Sequence, residues 1–178
     1  MKTLTEQLAQ YADYHRDPRN ILTHFIGIPM IVLAVQVLLS RPAWPLGAFV
    51  LTPALLVTLL ACLYYVALDR PLGVLMAALL AAGLALAGQI AALPTGAWLW
   101  WGIGLFVVGW AIQFVGHVYE GRKPAFVDDL VGLVIGPLFV VAEAVFALGL
   151  RRDLHAAIEQ RAGPVRQRAP AGRGAALS

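Results

Sequence analysis

The stretch that decides the fold is WLWWGIGLFVVGWAIQFVGHV, residues 98–118. A helix needs about 20 predominantly apolar residues to cross a bilayer, and this stretch provides them. Its tryptophans cluster at the start, where indole rings favour the interface between lipid and water. Similar apolar runs lie at about 25–40, 46–68, 72–93 and 130–150, and 60% of the 178 residues are hydrophobic. We therefore predict an all-α integral membrane helical bundle with four transmembrane helices and a fifth apolar segment.

The fifth segment, at 130–150, either crosses fully or breaks and returns as a re-entrant helix. Pro137 and Glu143 interrupt its apolar run. A full crossing would place the basic tail opposite the start of the chain, whereas a return would leave Arg41 as the only Lys or Arg on the far side. Basic residues concentrate on the cytoplasmic side of membrane proteins, which favours the return. We predict a membrane protein whose first residues and histidines lie on the cytoplasmic side.

The first residues predict a short helix followed by a sharp corner. Thr3 and Glu6 have the spacing of a capping box, and apolar residues recur after them at helical intervals. This pattern indicates an amphipathic helix that lies at the membrane interface and ends at His15. Asp17 and Pro18 then predict a change of direction and the start of the next helix.

The last residues are basic and lack a helical period. Residues 162–178 are mainly Gly, Pro, Ala and Arg, which predicts a disordered tail after a single membrane-embedded domain at 1–161. The net charge of +3 comes from basic residues at the membrane flanks and in this tail. Membrane lipid is therefore an expected partner, and nucleic acid is not.

Three histidines occupy positions where separate parts of the chain can meet. His15 ends the first predicted helix, His24 lies in the next and His117 is near the end of the fourth span. Because four crossings return the chain to its starting side, we predict that the three imidazoles meet at one membrane edge. Polar side chains are costly near hydrocarbon and are usually functional there. Imidazole is a common ligand of iron and zinc, so the predicted use is a metal site.

Polar residues lie about one helical turn from the proposed ligands. We predict that Asn20 and Gln113 hydrogen-bond the ring nitrogens that do not hold the metal, and that Glu120 supplies an oxygen ligand or orients an imidazole. A guanidinium can hold a carboxylate through two parallel hydrogen bonds, which would present a fatty acid head group to the metal. The basic residues near the histidines, whose other expected role is to anchor anionic lipid, are Arg16, Arg19, Arg122 and Lys123.

The same polar residues have a simpler interpretation. Histidine and glutamine side chains often hydrogen-bond across helices in membrane bundles. On this interpretation the protein is a non-catalytic polytopic membrane module, such as a transporter subunit or an assembly factor. It predicts no stoichiometric metal and predicts that the protein tolerates His24→Gln.

Two sequence blocks resemble one known family. The first is YADYHRDPRNILTHFIGIP at 11–29, and the second is QFVGHVYEGRKPA at 113–125. Together they resemble the membrane 2-hydroxy fatty acid dioxygenase family, which is known from fungal fatty acid α-oxidation at the endoplasmic reticulum and has many bacterial relatives. The resemblance covers roughly residues 5–150. Together with the charge distribution it implies a bacterial inner-membrane protein with the histidines on the cytoplasmic side.

The resemblance implies an enzyme that uses Fe(II) and dioxygen to shorten a 2-hydroxy long-chain fatty acid by one carbon. It implies that His15, His24 and His117 are associated with the metal, and the ligand chemistry alone would also suit zinc. Fungal members carry a second histidine directly after the first, where this chain has Arg16. Any ligand or acid–base role of that extra imidazole would be missing here.

Overall fold

The computed structural model describes residues 2–47 and 49–166, which form seven α-helices, a two-stranded hairpin and a short 3-10 turn. The helices are α1 (Leu4–Asp13), α2 (Pro18–Leu39), α3 (Pro53–Leu68), α4 (Arg70–Ala91), α5 (Thr95–Glu120), α6 (Gly132–Ala147) and α7 (Arg152–Ala162). Strands β1 (Trp44–Leu46) and β2 (Phe49–Leu51) pair antiparallel, and the 3-10 turn is Ala125–Val127.

Three helices, α2, α4 and α5, are long and apolar enough to cross a membrane. Helix α3 is also apolar but has only 16 residues. Helices α6 and α7 meet at a bend of 119° and together form a broken span or a re-entrant segment. The predicted fold class, an all-α membrane bundle, is confirmed.

The second predicted span, at 46–68, begins too early. Its first residues form the hairpin, in which Pro45 lies in β1 and Gly47 has a φ of 63° in the turn. A left-handed glycine and a proline do not continue a helix. Helix α3 begins only at Pro53, after Thr52, whose side chain accepts a hydrogen bond from a main-chain N–H of the first turn.

The predicted corner at the start of the chain is confirmed, with one correction. Thr3 and Glu6 form both hydrogen bonds of a capping box, and the Asp17 side chain caps α2, whose first residue is Pro18. Helix α1 ends before His15, which lies in the corner itself. The apolar side of α1 packs against α6 and α7, so protein covers the stripe that the sequence assigned to the membrane interface.

Helices α2 and α5 form the most extensive helix pair of the bundle. They approach closely at Gly27 and Gly109, where a Cβ added to Gly27 would lie 2.8 Å from the Gly109 carbonyl oxygen. Small residues allow this approach in membrane helices. Because α2 and α5 run antiparallel, the start of α2 and the end of α5 lie together. The predicted meeting of His24 and His117 at one end of the bundle is therefore confirmed.

The segment formed by α6 and α7 returns to the histidine end of the bundle. The Tyr65 hydroxyl donates to the Val134 carbonyl oxygen at 2.6 Å near the start of α6. At its end, Arg151 donates to both carboxylate oxygens of Asp69, at 3.1 and 2.7 Å. Helix α7 then packs against α1. These contacts support the re-entrant alternative and leave Arg41 as the one described basic residue at the opposite end.

Residues 163–166 follow α7 and contact the corner between α1 and α2. The main-chain N–H of Arg166 donates to the Arg16 carbonyl oxygen at 2.8 Å, and the Arg16 guanidinium donates to the Gly163 carbonyl oxygen at 2.6 Å. The predicted disordered tail thus begins with an ordered stretch, and residues 167–178 lie outside the described residues. The boundary at 161 stays a prediction.

Candidate metal centre

Three buried imidazoles meet where the α1–α2 corner, the first turns of α2 and the last turns of α5 converge. His15, His24 and His117 are 0%, 1% and 8% exposed. One possible ligand nitrogen from each ring lies within 4.8 Å of the other two. These three are the only group of histidine, cysteine or carboxylate residues in the described part of the chain with such spacing. The structure therefore confirms the convergence that the sequence predicted.

Main-chain carbonyls fix the orientation of two of the rings. The Nδ1 atom of His15 lies 2.6 Å from the Tyr11 carbonyl oxygen, and that of His24 lies 2.8 Å from the Asn20 carbonyl oxygen. A carbonyl can only accept, so each Nδ1 carries the hydrogen. In a neutral imidazole the other nitrogen, Nε2, is then an acceptor with a free lone pair. Such an outer hydrogen bond is the usual way in which proteins orient a metal-ligating histidine.

The two Nε2 lone pairs face each other across 2.9 Å. Two acceptors at this distance repel unless a cation lies between them or one ring is protonated. Burial lowers the pKa of His15 well below its ordinary value, and the neighbouring His24 lowers it further. The Nδ1 atom of His117 is also buried and has no hydrogen-bond partner within the described residues. The site therefore fits a cation held by neutral imidazoles.

Glu120 holds the corner that carries His15. Its Oε2 accepts hydrogen bonds from the main-chain N–H groups of Arg16 and Asp17, at 2.9 and 2.8 Å, and from the Asn20 amide at 3.0 Å. The side chain is fully buried, and Oε1 lies 3.4 Å from the Arg166 guanidinium. Glu120 is not among the residues whose ligand atoms converge. Its hydrogen bonds hold the main chain of the corner, and none of them reaches an imidazole. The role predicted for Glu120, as an oxygen ligand or as a residue that orients an imidazole, stays a prediction.

The two predicted amide partners do not bond the imidazoles through their side chains. Asn20 holds His24 with its main-chain carbonyl, and its side-chain amide donates to Glu120 and to the Tyr14 carbonyl oxygen at 3.3 Å. Gln113 is 4% exposed and lines the cavity beside the histidines. Its Oε1 has no hydrogen-bond partner among the residues described. This oxygen is available to accept a hydrogen bond from a bound molecule.

The four basic residues predicted to clamp a carboxylate are all engaged elsewhere. The Arg16 guanidinium donates to three main-chain carbonyls. Arg19 pairs with Asp17 at 2.8 Å and lowers the pKa of that carboxyl. Arg122 pairs with Asp13 and Lys123 with Asp128, both at the surface. These contacts stabilise the loops around the histidines and give no support to a carboxylate clamp.

Sequence reasoning missed two aromatic residues that complete the site. The Tyr11 ring stacks on the His15 ring with centroids 4.2 Å apart and an interplanar angle of 7°. Tyr11 and Trp110 both line a cavity of about 70 Å³ that His24 and His117 also border. The spacing of Tyr11 and His15, one helical turn apart, was the available signal. The sequence contains no comparable signal for Trp110, because a tryptophan within a span is expected to be an ordinary apolar residue.

Comparisons with known proteins identify the family of this chain. The family model described as "2-hydroxy-palmitic acid dioxygenase Mpo1-like" matches residues 1–148. The chain belongs to the Mpo1-like family. The Mpo1-like match covers α1 to α6 and therefore all three histidines. The Mpo1-like protein named 2-hydroxy-palmitic acid dioxygenase MPO1, from Saccharomyces cerevisiae, is 36% identical over 159 residues, which are 88% of this chain and 87% of the yeast protein. No solved structure shows a significant match.

Proposed function

We propose that this protein is a 2-hydroxy fatty acid dioxygenase that removes the carboxyl carbon of a 2-hydroxy long-chain fatty acid. The reaction consumes one dioxygen, breaks the bond between C1 and C2, and yields the acid one carbon shorter with carbon dioxide and water. The observation that carries the proposal is the buried set of three imidazoles in a membrane protein of the Mpo1-like family. The name of the yeast relative gives the substrate class.

The metal in this proposal is Fe(II), held by His15, His24 and His117. Bound there, the ion would supply dioxygen activation, which open sites with imidazole ligands support. The chain's own contribution is orientation. The carbonyls of Tyr11 and Asn20 keep two Nε2 atoms directed at the centre of the site. Zinc fits the same donors but has no redox chemistry, so iron is the better match to a dioxygenase.

Several residues of the chain serve the substrate rather than the metal. The free Oε1 of Gln113 can accept a hydrogen bond from the 2-hydroxyl group, because it borders the same small cavity as the histidines. The Tyr11 hydroxyl borders that cavity and can donate to the carboxylate. Burial raises the pKa of Tyr11, so its proton is retained at neutral pH. The apolar walls of the cavity exclude water from the reacting atoms.

The proposed location is a bacterial inner membrane with the histidines on the cytoplasmic side. The support is the distribution of basic residues, of which Arg41 alone among the described ones lies at the end opposite the histidines. A substrate acid could then reach the site laterally, from the lipid layer that already holds its tail.

The proposal is tested with protein purified without oxygen and loaded with Fe(II) or with Zn(II). We expect one iron per chain and the production of pentadecanoic acid from 2-hydroxypalmitic acid and dioxygen by the iron form only. His24→Ala and His117→Ala should lose both the metal and the product.

The matched control is His155→Ala, because His155 lies on α7, away from the cluster, stacked on Phe146. It should retain metal and activity. Absence of stoichiometric metal in the wild type, together with unchanged behaviour of His24→Gln, would favour the non-catalytic membrane module instead.

A further inference from the structure

A large apolar cavity adjoins the small cavity at the histidines. It has a volume of about 420 Å³ and lies between α2, α3, α5 and α6. The residues that line both cavities are Ile31, Val32, Trp110, Leu133 and Pro137. The two spaces share these five walls and therefore lie side by side between the histidines and the centre of the bundle. Together they are called the path below.

The far part of this path contains a buried polar pair. The Gln36 amide donates to the Thr58 hydroxyl at 3.2 Å and to the Leu80 carbonyl oxygen at 3.0 Å. All three residues line the large cavity. Gln36 Oε1 has no hydrogen-bond partner in the described part of the chain. The Oε1 atom faces Gly83 of α4, which does not line this cavity. An acyl chain that extended past the pair would meet the polar side chains of Gln36 and Thr58, which is unfavourable for a methyl end.

The length of the path can be read along α2. Gln36 follows His24 by twelve residues, so the two lie about 18 Å apart along the helix axis. An extended covalent chain advances about 1.2 Å per bond, since a fully extended residue of three backbone bonds spans about 3.3–3.6 Å. The path therefore accommodates about 15 bonds between the metal end and the polar pair.

We propose that this path is the binding site for the acyl chain of the substrate, and that the residues around Gln36 and Thr58 set the preferred chain length at about 14–16 carbons. The inference rests on the proposed function for the identity of the head group. Its occupant is a single saturated acyl chain, because the lining residues other than the polar pair and Tyr65 are apolar. Gln36 and Thr58 are specificity-determining residues in this proposal.

A second apolar cavity of about 390 Å³ provides a control. It lies on the α4 side of α2 and shares Val32, Gln36, Leu80 and Pro137 with the first. It shares fewer walls with the histidine cavity, and it lacks Trp110. Ala61 lines only the proposed acyl site, and Ala82 lines only the second cavity. The same substitution at these two alanines therefore narrows one cavity at a time and tests the two cavities independently.

The first test is chain-length preference in Ala61→Phe and Ala82→Phe. Ala61 lies about one turn closer to the histidines than Thr58. Between the metal end and the level of Ala61 the path has room for about ten bonds of an acyl chain. We expect Ala61→Phe to lower the ratio of kcat/KM for 2-hydroxypalmitic acid to that for 2-hydroxydecanoic acid by about tenfold or more. Ala82→Phe should leave the ratio unchanged. An unchanged ratio in Ala61→Phe, or a loss confined to Ala82→Phe, would overturn the proposal.

Ala61→Leu replaces Ala61→Phe if the latter does not fold. Leucine is smaller than phenylalanine and still narrows the cavity at the same level. A fall in the ratio is expected, and its absence would count against the proposal in the same way.

The second test measures binding without turnover. Trp110 precedes His117 by seven residues on α5, or about 10 Å, which corresponds to about nine bonds of an extended chain. We expect 9,10-dibromopalmitic acid to quench the fluorescence of metal-free protein more strongly than palmitic acid brominated only at its last carbon. Trp110→Phe should abolish this difference.

The two tests separate the inference from the proposed function. Quenching that depends on Trp110, in a protein that shows no dioxygenase activity, would support the acyl site and refute the enzyme. An active enzyme in which Trp110 reports no position-dependent quenching would refute the acyl site and leave the enzyme intact.

Discussion

Replacing Glu120 tests whether the metal centre depends on a group that does not bind the metal. In Glu120→Ala the main-chain N–H groups of Arg16 and Asp17 lose their acceptor while they remain buried. The Asn20 amide loses one of its two acceptors. The corner that presents His15 is then held mainly by the ends of its two flanking helices. Glu120→Gln keeps one carbonyl oxygen in place and removes only the charge.

The magnitude follows from the three lost hydrogen bonds. Each buried donor left unsatisfied costs about 1–3 kcal/mol, and truncating one side of a buried charged network costs about 3–5 kcal/mol in total. We expect Glu120→Ala to lower the free energy of unfolding by about 3–4 kcal/mol, and Glu120→Gln by about 1–2 kcal/mol. Loss of an outer partner of a ligating residue lowers metal affinity about 10–100-fold.

The assay combines thermal unfolding of the metal-free protein with a chelator competition that gives the metal dissociation constant. His15→Ala, which removes the imidazole and leaves the carboxylate in place, provides the comparison. We expect Glu120→Ala to weaken metal binding less than His15→Ala does, but to destabilise the metal-free protein more. Equal metal affinity in Glu120→Ala and the wild type would refute the reasoning that Glu120 positions the centre.

Three further changes probe the bundle. His24→Ala should abolish metal binding, measured by elemental analysis, and leave the helical content unchanged by circular dichroism. Asp69→Asn keeps the cap of α4 but removes the carboxylate charge. Because Arg151 lowers the pKa of this carboxyl, we expect the substitution to lower the free energy of unfolding by about 1 kcal/mol, measured by thermal unfolding. That stabilisation is present above the ordinary pKa of the carboxyl and is lost as the pH falls through the lower folded pKa, so the mutant and wild type should converge in strong acid. Gly27→Ala should lower the free energy of unfolding by about 1–3 kcal/mol, because the new Cβ meets the Gly109 carbonyl oxygen. Gly104→Ala is the control: its Cβ has open space, so the free energy of unfolding should change by no more than about 1 kcal/mol.

The sequence predicted the elements that depend on local chemistry. The capping box at Thr3 and the proline corner at Asp17 are local signals, and the structure has both. The meeting of His24 and His117 followed from the parity of membrane crossings, which holds even though α3 is shorter than predicted. A count of crossings tolerates errors at the ends of helices, because an error of a few residues does not change which side a helix end faces.

The sequence could not predict which groups hold the imidazoles. The hydrogen-bond partners of His15 and His24 are main-chain carbonyls. Every residue has a main-chain carbonyl, so the residue type does not show which one will accept the bond. Both roles predicted for Glu120 were compatible with the sequence, and only the geometry shows its Oε2 accepting from the main-chain N–H groups of Arg16 and Asp17. The structure does not support the predicted carboxylate clamp, for a similar reason. The Arg16 guanidinium donates to main-chain carbonyls that only the fold brings near it.

The ordered stretch at 163–166 bears on how the protein is prepared for study. A version shortened after Ala162 would keep α7 whole but would remove the Gly163 carbonyl and the Arg166 guanidinium from the neighbourhood of Arg16 and Glu120. Purification tags attached there would lie beside the corner that carries His15. Fusions for assays or crystallisation should therefore join the chain beyond residue 166, and an inactive shortened version would say little about the histidines.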